Sequence, residues 1–360
     1  GIALRTMGYD FNLDVRNLSI KEYTVFDYLR GYNCIYTDSG RTCIKLLSQL
    51  AADKELLVPA FSCYSVIYGF RYGVKPVFYA VNDDFSIDFN DLEAKITKDT
   101  AGIYITNYFG HLLSDSDAER INQIKKEHGL LVFEDNTQSV FSGEIKVGDY
   151  ALSSIRKWFP VPDGGVIYSD NSLAAIDIRG LTKDSKQCDK LYPQIMKSMI
   201  LKDMVDYPVG KIAELFAEVE EELNQYSDSN EMFIMGDFTK FMFTCNSVPP
   251  MIKKRQDNEK YLRTLIDSPY LRQAIPELST GECPFNMPMY CTCRDEMWNY
   301  LVEKYNIYPS VLWRTHLYDP VKDIGPTGRM GREIISFPVD QRYSKEDMEY
   351  LADAVNSFRL

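Results

Sequence analysis

Short apolar runs alternate with helical patterns through the first half of the chain, and this alternation limits the fold more than any other feature. Leu56-Leu57-Val58 runs into Pro59, Pro76-Val77-Phe78-Tyr79 is a second run, and Gly102-Ile103-Tyr104-Ile105-Thr106 is a third. Leu130-Leu131-Val132-Phe133 stops at Glu134-Asp135, and Gly165-Val166-Ile167-Tyr168 follows. Runs this short and this continuously apolar, rich in β-branched and aromatic residues, suit strands buried on both faces. Helices are predicted between them. One runs from Thr42 to Leu50; another starts near Ser114 or Ser116, places Ile121 and Ile124 on one face, and ends at His128-Gly129. A serine or aspartate start and a glycine stop are helix-end signals. The alternation predicts an α/β domain on a mostly parallel sheet.

The character changes after about Gly180. Ile212, Leu215, Phe216, Val219 and Leu223 lie at helical spacing, with Glu214, Glu218 and the run Glu220 to Glu222 largely off that stripe. This pattern predicts an amphipathic helix with a solvated acidic face. Ser247-Val248-Pro249-Pro250 breaks it. A charged helix is expected next, then strand-like segments around Met289-Tyr290-Cys291 and Ile334-Ile335-Ser336-Phe337. A closing helix is expected from Ser344 to about Phe358, with Ser344 as N-cap and Asp347 in its N3 slot. A chain of 360 residues suits one large and one smaller domain. The boundary is expected near residue 245, giving domains 1–245 and 246–360.

Charge narrows the partners. Forty basic residues against 52 acidic leave a net charge of −12, which works against binding a phosphate backbone, and no basic stripe overrides it. No nucleic-acid partner is expected, although a local cationic pocket for a phosphorylated ligand remains compatible. No uninterrupted apolar run of about 18 residues exists, so no membrane span is expected, and the first residues lack the apolar run of a signal peptide. Cys34, Cys43, Cys63, Cys188, Cys245, Cys283, Cys291 and Cys293 are scattered without a C-x-x-C pair. They read as reduced thiols of a cytoplasmic protein. Cys291 and Cys293 would share a face if on a strand, where burial as small hydrophobes is favoured over a special role. No metal site is expected.

Three segments point to chemistry. Asp38-Ser39-Gly40-Arg41-Thr42 precedes a predicted helix, and a helix N-terminus offers unpaired N–H groups and partial positive charge to a phosphate. Taken alone, Ser-Gly at that place is more often only a plain helix cap. In Phe133-Glu134-Asp135-Asn136-Thr137-Gln138 an apolar strand ends in a carboxylate, at the sheet edge where α/β folds bind ligands. A loop aspartate capping a turn is the competing reading. Ser153-Ser154-Ile155-Arg156-Lys157-Trp158-Phe159 then sets a lysine among apolar and aromatic neighbours, shortly before Asp163-Gly164-Gly165 and a strand. Partial desolvation lowers a lysine pKa and frees the amine for imine chemistry, against the base expectation that a lysine is a surface charge.

Taken in order, these segments resemble the DegT/DnrJ/EryC1/StrS family of sugar aminotransferases. Ser39-Gly40-Arg41 is followed by Val58-Pro59-Ala60-Phe61-Ser62-Cys63-Tyr64-Ser65, then Tyr108-Phe109-Gly110-His111 with Asp115 one place late, then Glu134-Asp135-Asn136-Thr137-Gln138, then Ser153, Ser154, Lys157 and Asp163-Gly164-Gly165. The resemblance spans roughly residues 30 to 170. It implies the PLP-dependent transferase fold type I: a large α/β domain on a mostly parallel seven-stranded sheet and a smaller C-terminal α+β domain. It implies pyridoxal 5′-phosphate (PLP) as cofactor, held by Lys157 as a Schiff base, with Asp135 on the ring nitrogen as the second catalytic group. Gln138 matches a residue near the phenolic oxygen, Gly40 and Arg41 match the phosphate turn, and Ser153 or Ser154 matches a phosphate-binding hydroxyl. Neither serine sits at the family's distance from the lysine.

The same resemblance implies amino transfer to a keto sugar, nucleotide-linked, from glutamate, in a cytoplasmic homodimer. Other PLP reactions on this scaffold (decarboxylation, aldol cleavage, sulfur transfer) and a non-catalytic PLP- or sugar-binding role stay open. The departures are Arg41 in place of a small threonine, and Cys63 where the family has an aromatic shelf over the ring, with Tyr64 beside it. A Gly-x-Asn-x-Arg segment that reaches the partner subunit's cofactor is absent after Gly180. Near the C-terminus Trp313, Arg314 and His316 are candidate substrate contacts, each with a structural alternative: core filling for Trp313, an ordinary polar residue for His316, and a surface charge for Arg314.

Overall fold

The computed structural model describes residues 6–8, 11–16, 18–70, 73–184, 195 and 230–360. The predicted helix around residues 212–223, and Cys188, lie outside them.

Seven strands form the central sheet: β1 (Asn33–Thr37), β2 (Glu55–Pro59), β3 (Lys75–Tyr79), β4 (Thr100–Thr106), β5 (Leu131–Asp135), β6 (Tyr150–Ser153) and β7 (Gly165–Ser169). Their order is β1-β7-β6-β5-β4-β2-β3. Only β7 runs antiparallel to its neighbours; the pairs from β6 to β3 are parallel. The five apolar runs read from the sequence are all strands here. β1 and β6 are additional, and their mixed composition (Asn33 and Thr37 in one, Tyr150 and Ser153 in the other) hides them from a search for apolar runs. Pro76 has no N–H to give a ladder and lies in β3, at the sheet edge, where that loss is tolerated.

Buried side chains on one sheet face, among them Tyr104, Phe133, Leu152 and Ile167, pack against the first long helix, α1 (Gly40–Ser48). On the other face Ala151, Val166 and Tyr168 join a cluster with Phe141, Ile155 and Trp158. The expected helix near residue 114 is α2 (Asp115–His128). The Ser114 hydroxyl accepts from the Asp117 N–H at 3.1 Å, and the helix stops at Gly129, whose φ of 65° suits a residue without Cβ.

Beyond residue 245 a second sheet of three antiparallel strands forms: β8 (Leu271–Gln273), β9 (Met287–Cys291) and β10 (Ile334–Phe337), in the order β8-β9-β10. Helix α3 (Val248–Leu265) begins at the prolines expected to break the pattern. Pro249 and Pro250 occupy its first turn, where a missing N–H costs nothing. The closing helix, α4 (Lys345–Asn356), carries the expected capping box between Ser344 and Asp347. These elements enclose their own apolar cluster, which also takes in Met7 because Met7–Gly8 pairs with Ile307–Tyr308. Cys291 ends β9 and Cys293 caps the following helix; both are buried thiols with sulfurs 3.6 Å apart. No helix among the described residues is long and apolar enough to cross a membrane, and none of their His, Cys, Asp and Glu side chains cluster as a metal site.

Candidate active site

Strand β5 delivers two adjacent acids to opposite faces of the sheet, and they do different work. Glu134, fully buried, accepts from the side-chain amides of Asn107 (3.0 Å) and Asn136 (3.2 Å) and from the backbone N–H groups of Lys146, Val147 and Gly148. It ties down a loop. Asp135 sits at the carboxyl end of the strand, with Oδ1 accepting from the Thr137 N–H at 2.9 Å and Oδ2 from the Tyr104 hydroxyl at 2.6 Å. Burial, and then the charge of Asp135, hold the Tyr104 hydroxyl well above its ordinary pKa, so it stays a neutral donor.

Lys157 is half-buried in a single 3₁₀ turn, Ile155–Trp158, between β6 and β7. Cys63 relates it to Asp135. Burial pushes the Cys63 thiol up; next in size, Lys157 pulls it down and Asp135 pushes it up. Cys63 therefore lies within electrostatic reach of both the lysine and the acid, at the start of the short helix Tyr64–Ile67.

The predicted phosphate turn opens α1. Ser39 caps it, its hydroxyl accepting from the Thr42 N–H at 3.3 Å, and Thr42 in turn donates to Asp38 at 2.6 Å. A Cβ built on Gly40 would come 3.2 Å from the Ser154 Cβ, so the bare glycine and Ser154 form one cradle at the helix N-terminus. Ser154 is the serine that the fold brings to the turn. Ser153 pairs with Val166 and alternates to the face opposite Asp135, where its hydroxyl is buried without a hydrogen-bond partner. Arg41 donates from Nε to the Ser65 hydroxyl at 2.8 Å, which holds its guanidinium beside the Cys63 segment. Gln138 is buried, and its amide oxygen accepts from the Phe109 N–H at 2.8 Å, leaving the NH₂ end to meet an acceptor.

The C-terminal candidates separate. Trp313, partly buried, packs against the core residues Phe61 and Tyr108, ring centroids 5.7 and 6.4 Å away. Arg314 pairs with Asp295 at 3.5 Å, both well exposed, as the surface-charge alternative anticipates. His316 lies in a turn packed on the helix Thr327–Glu333; burial, then Arg294, lowers its pKa, and its Nδ1 has no hydrogen-bond partner.

Sequence reasoning missed Tyr104, Thr137 and Tyr318. Tyr318 is within electrostatic reach of Cys63 and stands 6.0 Å, ring to ring, from Tyr64. For Tyr104 the only signal was its place two residues before the end of β4, which means nothing until β4 is paired with β5.

These residues can hold PLP: a carboxylate for the ring nitrogen, an amine for the aldehyde, a glycine-lined helix N-terminus with a serine for the phosphate. Residues 20–198 match the model of the DegT/DnrJ/EryC1/StrS aminotransferase family. A pleiotropic regulatory protein of Geobacillus stearothermophilus is 30% identical over 168 residues, 42% of this chain and 44% of that protein. A cystathionine gamma-synthase/O-acetylhomoserine (thiol)-lyase of Bacillus subtilis is 30% identical over 170 residues, 40% of this chain and 44% of that protein. The matched segment thus spans less than half the length of either curated relative. In structure the chain is similar to Helicobacter pylori PseC, an aminotransferase involved in the biosynthesis of pseudoaminic acid, with TM-score 0.67, 14% identity and 98% of each chain covered. That likeness carries the expected fold, a mostly parallel seven-stranded sheet with a smaller second unit. By its matched family model and the ordered motifs that line this site, the chain belongs to the DegT/DnrJ/EryC1/StrS aminotransferase family.

Proposed function

We propose that the protein is a PLP-dependent aminotransferase that transfers the amino group of glutamate to a nucleotide-linked keto sugar. The observation that carries this reading is the setting of Asp135: buried at the sheet's carboxyl edge and oriented by Thr137 and Tyr104, with Cys63 within electrostatic reach of both it and Lys157.

When bound, PLP supplies an aldehyde for an amine and a ring that withdraws electrons from the reacting carbon. Asp135 keeps the ring nitrogen protonated. Lys157 would hold the aldehyde through its Nζ, and the same amine would move the proton at the substrate carbon. Gln138, fixed through Phe109, presents its NH₂ group to the phenolic oxygen. The N–H groups of Gly40 and Arg41 and the Ser154 hydroxyl would hold the phosphate; Ser153 is the weaker candidate on grounds of strand alternation. Cys63 would face the ring, with Tyr64 beside it. Trp313 and His316 back the substrate side, and Arg314 is free to do so only by leaving Asp295. The reading includes a cytoplasmic homodimer with domains 1–245 and 246–360.

A sulfur-transfer reaction is the second reading, favoured by the match to the cystathionine gamma-synthase relative. One experiment separates them. Protein loaded with PLP and given L-glutamate alone should lose the visible absorbance of its cofactor and release 2-oxoglutarate once per site, and a keto sugar should restore the spectrum. Lys157→Ala should do neither. Turnover of O-acetylhomoserine with a thiol, and an unchanged spectrum with glutamate, would replace amino transfer with the second reading.

A further inference from the structure

Trp158, next in sequence to Lys157, is wholly buried and gripped from several directions. Its indole Nε1–H donates to the Thr137 carbonyl oxygen at 2.8 Å, and its own carbonyl oxygen accepts from Gln341 Nε2 at 2.7 Å. Phe141 and Phe285 meet the ring edge-on, at 5.1 and 5.2 Å. Over its face lies the Arg255 guanidinium, with Cζ 4.3 Å from the ring centroid. Arg255 is 1% exposed. Its Nε donates to Gln341 Oε1 at 2.8 Å, and its Nη1 donates to the carbonyl oxygens of Pro284 and Phe285 at 3.2 and 2.8 Å.

Burying a guanidinium is costly unless its donors find acceptors and its face finds a partner. Here the face is met by one tryptophan and the donors by Gln341 and two backbone carbonyls, with the buried Asp340 carboxylate within electrostatic reach. Lys157 has no long helix or strand to hold it, since its turn is four residues long. Trp158 supplies the missing anchor. At its other end the anchor reaches Thr137, whose N–H holds the Asp135 carboxylate and whose hydroxyl accepts from the Ser154 N–H at 3.1 Å.

We propose that Arg255 and Gln341 are positioning residues: acting through Trp158, they set the backbone of Lys157 in a constant relation to Asp135 and Ser154. The proposal rests on the reading that Lys157 condenses with PLP. It makes the C-terminal part of the chain, which contributes neither Lys157 nor Asp135, responsible for aiming the amine.

Two variants isolate the link without emptying the Arg255 site. Gln341→Glu keeps the acceptor for Arg255 Nε and removes the donor to the Trp158 carbonyl. Trp158→Phe keeps a ring under the guanidinium and removes the N–H to Thr137. The readout is the rate at which added PLP becomes joined to Lys157 with loss of one water. Borohydride, adding hydride across the resulting C=N bond, fixes the product, and intact mass counts it. Melting temperature is followed in parallel. Each variant should couple PLP roughly fivefold to tenfold more slowly than wild type, the size expected for one neutral hydrogen bond, while remaining folded at the assay temperature. Variants that couple at the wild-type rate would overturn the positioning role and leave the cofactor reading standing. Slow coupling explained by melting would overturn it too, as a purely structural effect. A wild-type protein that never acquires PLP on Lys157 would overturn the cofactor reading itself, and that control alone reveals it.

Discussion

Tyr104 and Asp135 face each other across the paired strands β4 and β5, the phenol hydrogen pointing at Oδ2 over 2.6 Å. Thr106 is the register partner of Asp135, and Tyr104, two residues earlier, projects from the same face. The acid thus receives two donors from the protein, one phenol and one backbone N–H, and is already aimed before any ligand arrives.

Tyr104→Phe removes one of those donors and almost no volume. Hydrogen bonds to charged groups are worth about 1.5–3 kcal/mol, so PLP affinity should fall roughly tenfold. A spectrophotometric titration measures this. An unchanged affinity would mean that the phenol does not orient the acid.

Asp135→Asn should leave the fold intact, because the amide oxygen still accepts from the Thr137 N–H. It removes the negative charge that, on the proposed reading, would keep the ring nitrogen protonated. The glutamate half-reaction should slow by roughly 100-fold or more, on the scale of losing one electrostatic catalytic group. Single-turnover absorbance measures the rate.

Glu134→Gln should do the reverse. The new NH₂ group would confront the N–H donors of Lys146, Val147 and Gly148, which now share the carboxylate. A loss of about 3 kcal/mol in stability is expected, visible as a lower urea midpoint. Variant protein that remains folded should keep its cofactor spectrum. A kinetic loss with unchanged stability would reverse the roles assigned to these two acids.

His111 makes stability depend on pH. Burial, and then Arg263, lower its pKa from 6.5 to about 4, and its Nδ1 lies 3.6 Å from Glu282. The native state keeps the imidazole neutral, whereas the unfolded chain takes up the proton near pH 6.5. Between those values the unfolded state binds more protons, so stability falls as pH falls. The loss begins near pH 6.5 and is complete near pH 4, at about 3 kcal/mol. Denaturant midpoints of wild type and His111→Asn, compared across that window, should converge as the pH drops. A constant difference would contradict it.

Most of the sheet and the approximate place of the site were readable in one dimension. Continuous apolar runs reveal strands buried on both faces, serine and glycine mark helix ends, and the ordered segments around Gly40, Cys63, Asp135 and Lys157 carry the family's signature. Each is local information, carried by residues within a few positions of one another. Strand register is not local. It decided that Glu134 secures a loop while Asp135 meets Tyr104, and that Ser154 faces the phosphate turn while Ser153 does not, because neighbours along a strand point to opposite faces. The core is less local still. Arg255 over Trp158 joins segments far apart in sequence, and only close packing of the folded chain makes a buried cation on α3 the neighbour of the lysine turn.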